Sequence, residues 1–312
     1  MTAYVIRRLW QMIPTIAGVI LLIFFLFKFF GGDPAEVLAG QVASQEHIDS
    51  IRRELGLDRP WPVQLWTFAQ HIFTFDFGRS WMTREAVSEI FLTRLPATLT
   101  ITIPLLVLEV SLAIPIAMAV AYFRGSVFDR TVMALCVAAM SISFLVYIIV
   151  GQYWLGFRWG LFPVQGWSDD LWRNLVVYAP LPVLLAVLVG LAPQTRLYRS
   201  FFLDETKSDY VRTARAKGLS ESQVMRRHVF RNAMVPVLTN ISLLLPGVFV
   251  GAFLLEIFFS IPGLGREIYL AVNRSDYPVI QAFTVYLAAL TMLINLAADL
   301  LYRLVDPRIQ LK

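Results

Sequence analysis

The reading starts from Ser208–Pro236, SDYVRTARAKGLSESQVMRRHVFRNAMVP, the most polar and basic stretch of a chain that is otherwise strongly apolar. Its pattern predicts two short helices with a sharp break between them. Ser208 suits a helix cap, with Asp209 in the favourable first turn. Tyr210, Val211 and Ala214 fall on one side at helical spacing, and Arg212, Arg215 and Lys217 on the other. Gly218 follows, suited to the left-handed turn that ends a helix. Ser220 and Gln223 have the spacing of a capping box, which opens the second helix. Val224, Met225, His228 and Val229 form its apolar stripe, against Arg226, Arg227 and Arg231. A basic helix pair of this kind suits anionic lipid, nucleic acid or another protein, and its composition does not choose between them.

Outward from this stretch the chain is membrane-like. Of its 312 residues, 57% are hydrophobic and only 16% charged, with a mean hydropathy of +0.64. A soluble domain of this size carries about 25% charge. Six apolar runs are long enough to cross a bilayer: roughly Leu9–Phe30, Ala97–Phe123, Thr131–Phe157, Leu175–Leu197, Val235–Phe259 and Ile280–Leu304. The first exceeds a signal-peptide core and lacks a small-residue cleavage site, so a retained anchor helix is expected, with Lys28 snorkelling at its far end. The expected fold is an all-α polytopic membrane protein with six transmembrane helices.

Basic residues give the orientation. With the N-terminus in the cytoplasm, the inside segments hold Arg7 and Arg8, Arg124 and Arg130, nine Lys/Arg between Arg196 and Arg231, and Arg303, Arg308 and Lys312. The short outside loops hold only Arg158, Arg173, Arg266 and Arg274. Both termini are thus expected in the cytoplasm. The positive charge, net +5, follows the membrane-flanking loops and argues against nucleic acid.

Gly31–Pro96 reads as a small folded cap on the outside, with helices over Gln45–Leu55 and Val63–Phe75 and a turn at Phe75–Ser80. Pro262–Gly263–Leu264–Gly265 reads as an outside turn. Pro104, Pro115, Pro180, Pro182, Pro193 and Pro246 punctuate the spans, either bending helices for packing or shaping a passage and its gate. Cys136 is the single cysteine, so no internal disulfide is available.

Glu109 lies near the middle of the second span, where a charge is costly and faces a bundle interior. It reads as a lining residue of a passage, as a proton site, as a ligand for a substrate amine or as a neutral protonated packing residue. Glu256 and Asp299 sit nearer span ends and read as structural. His47, His71 and His228 have no partner at metal-ligand spacing, so no metal is expected. No phosphate loop G-x-x-x-x-G-K-[S/T] occurs, and no nucleophile has a base nearby, so no catalytic residue is assigned. Trp154, Trp159, Trp167 and Trp172 suit interface anchors.

YVRTARAKGLSE…RHVFRNA resembles the cytoplasmic loop of binding-protein-dependent ABC import permeases, in the variant of the peptide and nickel branch. Arg212, Thr213 and Ala214 occupy the family's Glu-Ala-Ala positions, Gly218 is its glycine, and Phe230–Arg231 replaces its Leu-Pro. GDPAEVLAG, ELGLDRPWPVQ, DFGRS, LLEIFFSIPGLG and DLLYRLVDPRI are similar to the same branch. The family often carries proline where this chain has Ser141–Ile142–Ser143–Phe144, which leaves the geometry of the third span open.

The resemblance implies the type I ABC importer transmembrane fold. It divides the chain into 1–96 (first span plus outside loop), 97–304 (core permease domain, with a coupling loop at 200–234) and 305–312 (cytoplasmic tail). It implies half of a channel for di- or oligopeptides in a bacterial inner membrane. The partners implied are a second homologous permease, two ATP-binding subunits, an outside solute-binding protein and membrane lipid. ATP and magnesium would be held by the partner subunits and no cofactor by this chain. Tyr210, Val211, Ala214, Gly218, Val224, Met225 and His228 are the expected ATPase contacts. The competing reading is a self-contained proton-coupled secondary carrier using Glu109, and inverted repeats, frequent in carriers, are not evident in the sequence. An intramembrane enzyme lacks the residues it would need.

Overall fold

A computed structural model describes residues 2–40, 43–74 and 76–305. Among these the chain is helical, with a single isolated antiparallel bridge, Arg79 to Ala86. The helices are α1 (Thr2–Phe30), α2 (Pro34–Ala39), α3 (Gln45–Glu54), α4 (Trp61–Phe73), α5 (Val87–Tyr122), α6 (Val127–Met140), α7 (Phe144–Gly151) and α8 (Leu171–Arg173). They continue with α9 (Pro180–Glu205), α10 (Asp209–Ala216), α11 (Glu221–Gln223), α12 (Phe230–Val250), α13 (Phe253–Phe258), α14 (Leu264–Asn273) and α15 (Tyr277–Val305). Wider π-helical turns extend α7 (Gln152–Arg158), extend α8 (Asn174–Tyr178) and join α11 to α12 (Val224–Val229).

Among the described residues, five helices are long and apolar enough to cross a membrane, and there are six spans if α6 and the extended α7, bent by 90° at the break between them, count as one broken span. That broken span corrects the expected continuous run Thr131–Phe157. Without a proline, the serines make the break. The Ser141 hydroxyl bonds back to the Val137 carbonyl at 2.8 Å, and Ser143 turns extended (ψ 139°) to start α7. The Tyr147 hydroxyl reaches the Ala139 carbonyl at 3.1 Å, so one acceptor at the end of α6 is met inside the protein.

Two further expectations change. Gly263 is the residue before α14, whose Leu264 is fully buried, so the presumed outside turn is a helix start. Pro180 and Pro182 open α9 instead of kinking it, since a proline in the first turn removes no helical hydrogen bond. The turn residue Phe75 and the segment Asp306–Lys312, with Arg308 and the expected tail, lie outside the described residues.

The chain divides into two compact units. Of the described residues, the first takes those up to Ala97 together with Pro262–Leu296, and the second takes Thr98–Ile261 with 297–305. The segment between α1 and α5, together with α14, therefore packs as one body with the start of α15. Buried Asp276 fixes it, accepting the Ser80 hydroxyl and, at 3.1 Å, the Trp81 amide. Tyr277 donates to the Gly31 carbonyl, and Val87 and Ile90 of α5 pack on Leu264, Ala271, Val279 and Phe283. Asp33 caps α2 through the Ala35 amide and takes the Arg52 guanidinium. Burial opposes its ionisation, but the Arg52 bond and the Ala35 amide outweigh this and hold the carboxyl below the usual carboxylate range.

Candidate coupling elbow and intramembrane polar site

In the second unit, α10 and the start of α11 form an elbow that the local sequence explains. Ser208 takes extended backbone at the first cap, but its hydroxyl turns back to the Glu205 carboxylate at 3.4 Å and does not cap α10. Tyr210 donates to the same carboxylate. Burial, and then that bond, push the Tyr210 hydroxyl above its ordinary range. α10 stops where Gly218 takes φ +80°. The capping box then forms as the spacing predicts. The Gln223 amide donates to Ser220 Oγ at 3.4 Å, and the Ser220 amide to Gln223 Oε1 at 3.1 Å.

The second element is not a separate short helix. It continues through the π segment into α12, so it is the end of the fifth span. An ion pair that periodicity did not signal straps the bend. Arg215 donates to both oxygens of Glu221, at 2.7 and 3.1 Å, across Gly218.

The apolar stripe of this stretch does not face outward. Val211, Ala214, Val224 and Met225, expected as partner contacts, are buried with Val229 in one cluster. The other members are Ala113, Ala117 and Ala121 of α5, Tyr198 and Phe202 of α9, and Ala233 and Val237 of α12. The three alanines recur every fourth residue, a small-residue row that lets helices approach closely. Tyr210 and His228 are half-buried and Gly218 is exposed. From Ser208 to Asn232 the exposed residues are Asp209, Arg212, Thr213, Arg215–Gly218, Ser220–Gln223, Arg226, Arg227, Arg231 and Asn232. Helical periodicity marks an apolar face without saying whether the chain or a partner covers it, and here the chain covers it.

Above this cluster the unit carries polar groups that meet across long sequence separations. Glu109 of α5 is half-buried and its carboxylate sits on Gly190 of α9, where an added Cβ would lie 2.6 Å from its Oε1. The Gln194 side chain, one turn along α9, hydrogen-bonds to it. One further turn on, the Tyr198 hydroxyl donates to Asn240 Oδ1 at 3.0 Å. Below, Asp129 at the start of α6 takes a forked pair from Arg199, at 2.9 and 2.8 Å, and the Gly125 amide at 2.9 Å. Glu256 is buried, accepting the Thr98 hydroxyl at 2.9 Å and the Ala252 amide at 3.3 Å, which is a structural use of that carboxylate. Among the described residues, no three His, Cys, Asp or Glu side chains gather to hold a metal ion.

Residues 113–311 match the family described as "Binding-protein-dependent transport system inner membrane component", and residues 1–102 match its membrane-component N-terminal family. The chain is 36% identical over 315 residues, 99% of either chain, to a protein of Brucella abortus (strain 2308) named "Putative peptide transport system permease protein". It is 37% identical over 313 residues, the whole of both chains, to the glutathione transport system permease proteins GsiC of Salmonella choleraesuis and Salmonella typhimurium. The membrane fold, the loop sequence and these matches agree against a self-contained carrier. The chain belongs to the family of inner-membrane permease subunits of binding-protein-dependent ABC importers, with the type I importer transmembrane fold.

Proposed function

We propose that this permease forms half of a channel for di- or oligopeptides, paired with a second homologous permease and driven by two ATP-binding subunits docked on the Ser208–Pro236 elbow. An outside solute-binding protein delivers the peptide, ATP and magnesium reside in the partner subunits, and both termini lie in the cytoplasm. The observation that carries the coupling role is the division of the elbow into an exposed basic face and an apolar face buried on α5, α9 and α12.

That division assigns two roles. The exposed Arg212, Gly218, Arg226 and Arg227 meet the ATPase. Val211, Ala214, Val224 and Met225 carry its displacement into three spans, with Tyr210 and His228 at the margin. A packed element of this kind moves as a rigid body, so nucleotide-driven closure of the ATPases swings the spans between two packings. Glu109, half-exposed beside Gly190, gives the passage a polar lining point. Peptides are favoured because relatives covering the whole chain are named for peptide or glutathione transport, and glutathione is itself a tripeptide.

The test is reconstitution with the partner subunits. Arg212→Glu with Arg226→Glu is expected to reduce ATPase co-purification and peptide uptake while the chain still inserts. Wild-type co-purification and uptake would remove the elbow from the docking surface.

A further inference from the structure

We propose that the first unit holds one anionic phospholipid, its phosphodiester on Lys28, in a cavity between the end of α1 and the start of α15. The cavity measures about 430 Å³. Phe24, Phe27, Leu57 and Pro278 contribute apolar lining, and Lys28, Asp33, Arg52 and Gln64 contribute polar groups. A second cavity of about 310 Å³ adjoins it, sharing Phe24, Leu57, Gln64, Pro278 and Gln281.

Depth selects the ligand class. Lys28 is in the last turn of the first membrane span and Pro278 in the first turn of the last, so the cavity lies where hydrocarbon gives way to water. Trp81 and Tyr277, which line it, stack edge-on at 5.6 Å, the residue types that settle at this level. A site that joins apolar and polar lining at this depth fits an amphiphile with its phosphate on Lys28. The molecule most concentrated at that level is phospholipid.

Charge selects the headgroup. Lys28 and Arg52 face the single carboxylate of Asp33 in the lining, with Asp49, outside it, also balancing Arg52. Arg52 is committed to Asp33 and Asp49. Lys28 gives one of its three donors to Gln64 at 3.1 Å and is exposed, which makes it the cation for a phosphate oxygen. A lysine near an anionic headgroup contributes about 1 kcal/mol, so its loss is expected to weaken retention about five-fold.

The test is native mass spectrometry of the purified full-length chain with phosphatidylglycerol, phosphatidylcholine or inorganic phosphate added. One phosphatidylglycerol is expected to stay bound in preference to phosphatidylcholine. Lys28→Gln should lower that occupancy about five-fold, and Gln281→Trp, which fills the cavity, should remove it with helix content unchanged. Lys207→Gln, on a solvent-exposed loop, should leave it as it was. Equal retention of the two lipids, wild-type occupancy in both cavity variants, or displacement of the lipid by inorganic phosphate would each overturn the assignment.

Discussion

Replacing Gly218 gives the sharpest test of the elbow, because within this chain only backbone geometry is at stake there. Its φ is +80°, and an added Cβ meets nothing within 4 Å. Steric crowding within the chain is therefore absent, and the penalty is that of forcing an L-residue into the left-handed region, about 1–2 kcal/mol. Neither arm can swing out to relieve the strain without exposing Val211 and Ala214 on one side, or Val224, Met225 and Val229 on the other. The weight of the native bend against any other turn conformer thus falls about 5–30-fold. If the ATPase recognises this bend, its apparent affinity falls by up to the same factor. Asparagine tolerates the left-handed region better than valine. The expected order of peptide transported per ATP hydrolysed, in proteoliposomes with the partner subunits, is Gly218, then Gly218→Asn, then Gly218→Val, with equal insertion. Gly218→Val working at wild-type coupling would refute the reasoning. An alanine variant better than the asparagine one would refute the backbone account and point to a partner pressed against this residue.

Two further outcomes test polar side chains of the second unit. Asp129→Ala leaves Arg199, only 21% exposed, without its carboxylate, and is expected to cost about 3–5 kcal/mol in detergent melts. Asp129→Leu with Arg199→Met should recover most of that, and a double variant as unstable as Asp129→Ala would show that the pair acts through something other than the lost charge. Gly190→Ala puts a methyl group where the Glu109 carboxylate sits, pushes the end of that side chain aside and is expected to destabilise by about 0.5–1.5 kcal/mol. In a Glu109→Ala background the same change should be nearly neutral, whereas strict additivity of the two changes would mean that the contact does not form.

How much of this was readable beforehand depends on the range of the forces involved. The Ser220–Gln223 box and the Gly218 turn are local, fixed by residues within a few positions, and the sequence showed both. The spans were equally plain, since hydrophobicity over about 20 residues decides them. The Glu109–Gly190 seat and the Asp129–Arg199 fork join residues many turns apart in the chain, and no pattern within one helix encodes such a meeting. The break at Ser141–Ser143 escaped because its usual marker, proline, is absent and serine is also common in unbroken membrane helices.

The buried stripe of the elbow changes the mechanics of coupling. An apolar face turned towards the ATPase would have made the elbow a detachable plug, held by the partner and loosely tied to the membrane. Buried instead against Ala117, Phe202 and Ala233, it is continuous with α5, α9 and α12, and interiors packed to crystal-like density pass displacement on instead of absorbing it. The Arg215–Glu221 strap, with side chains 43% and 57% exposed, adds at most about 1 kcal/mol. The stiffness of the bend must therefore come from the apolar anchors. Shaving Met225 or Val211 to alanine should then loosen coupling more than cutting the strap, although both side chains are buried within the chain.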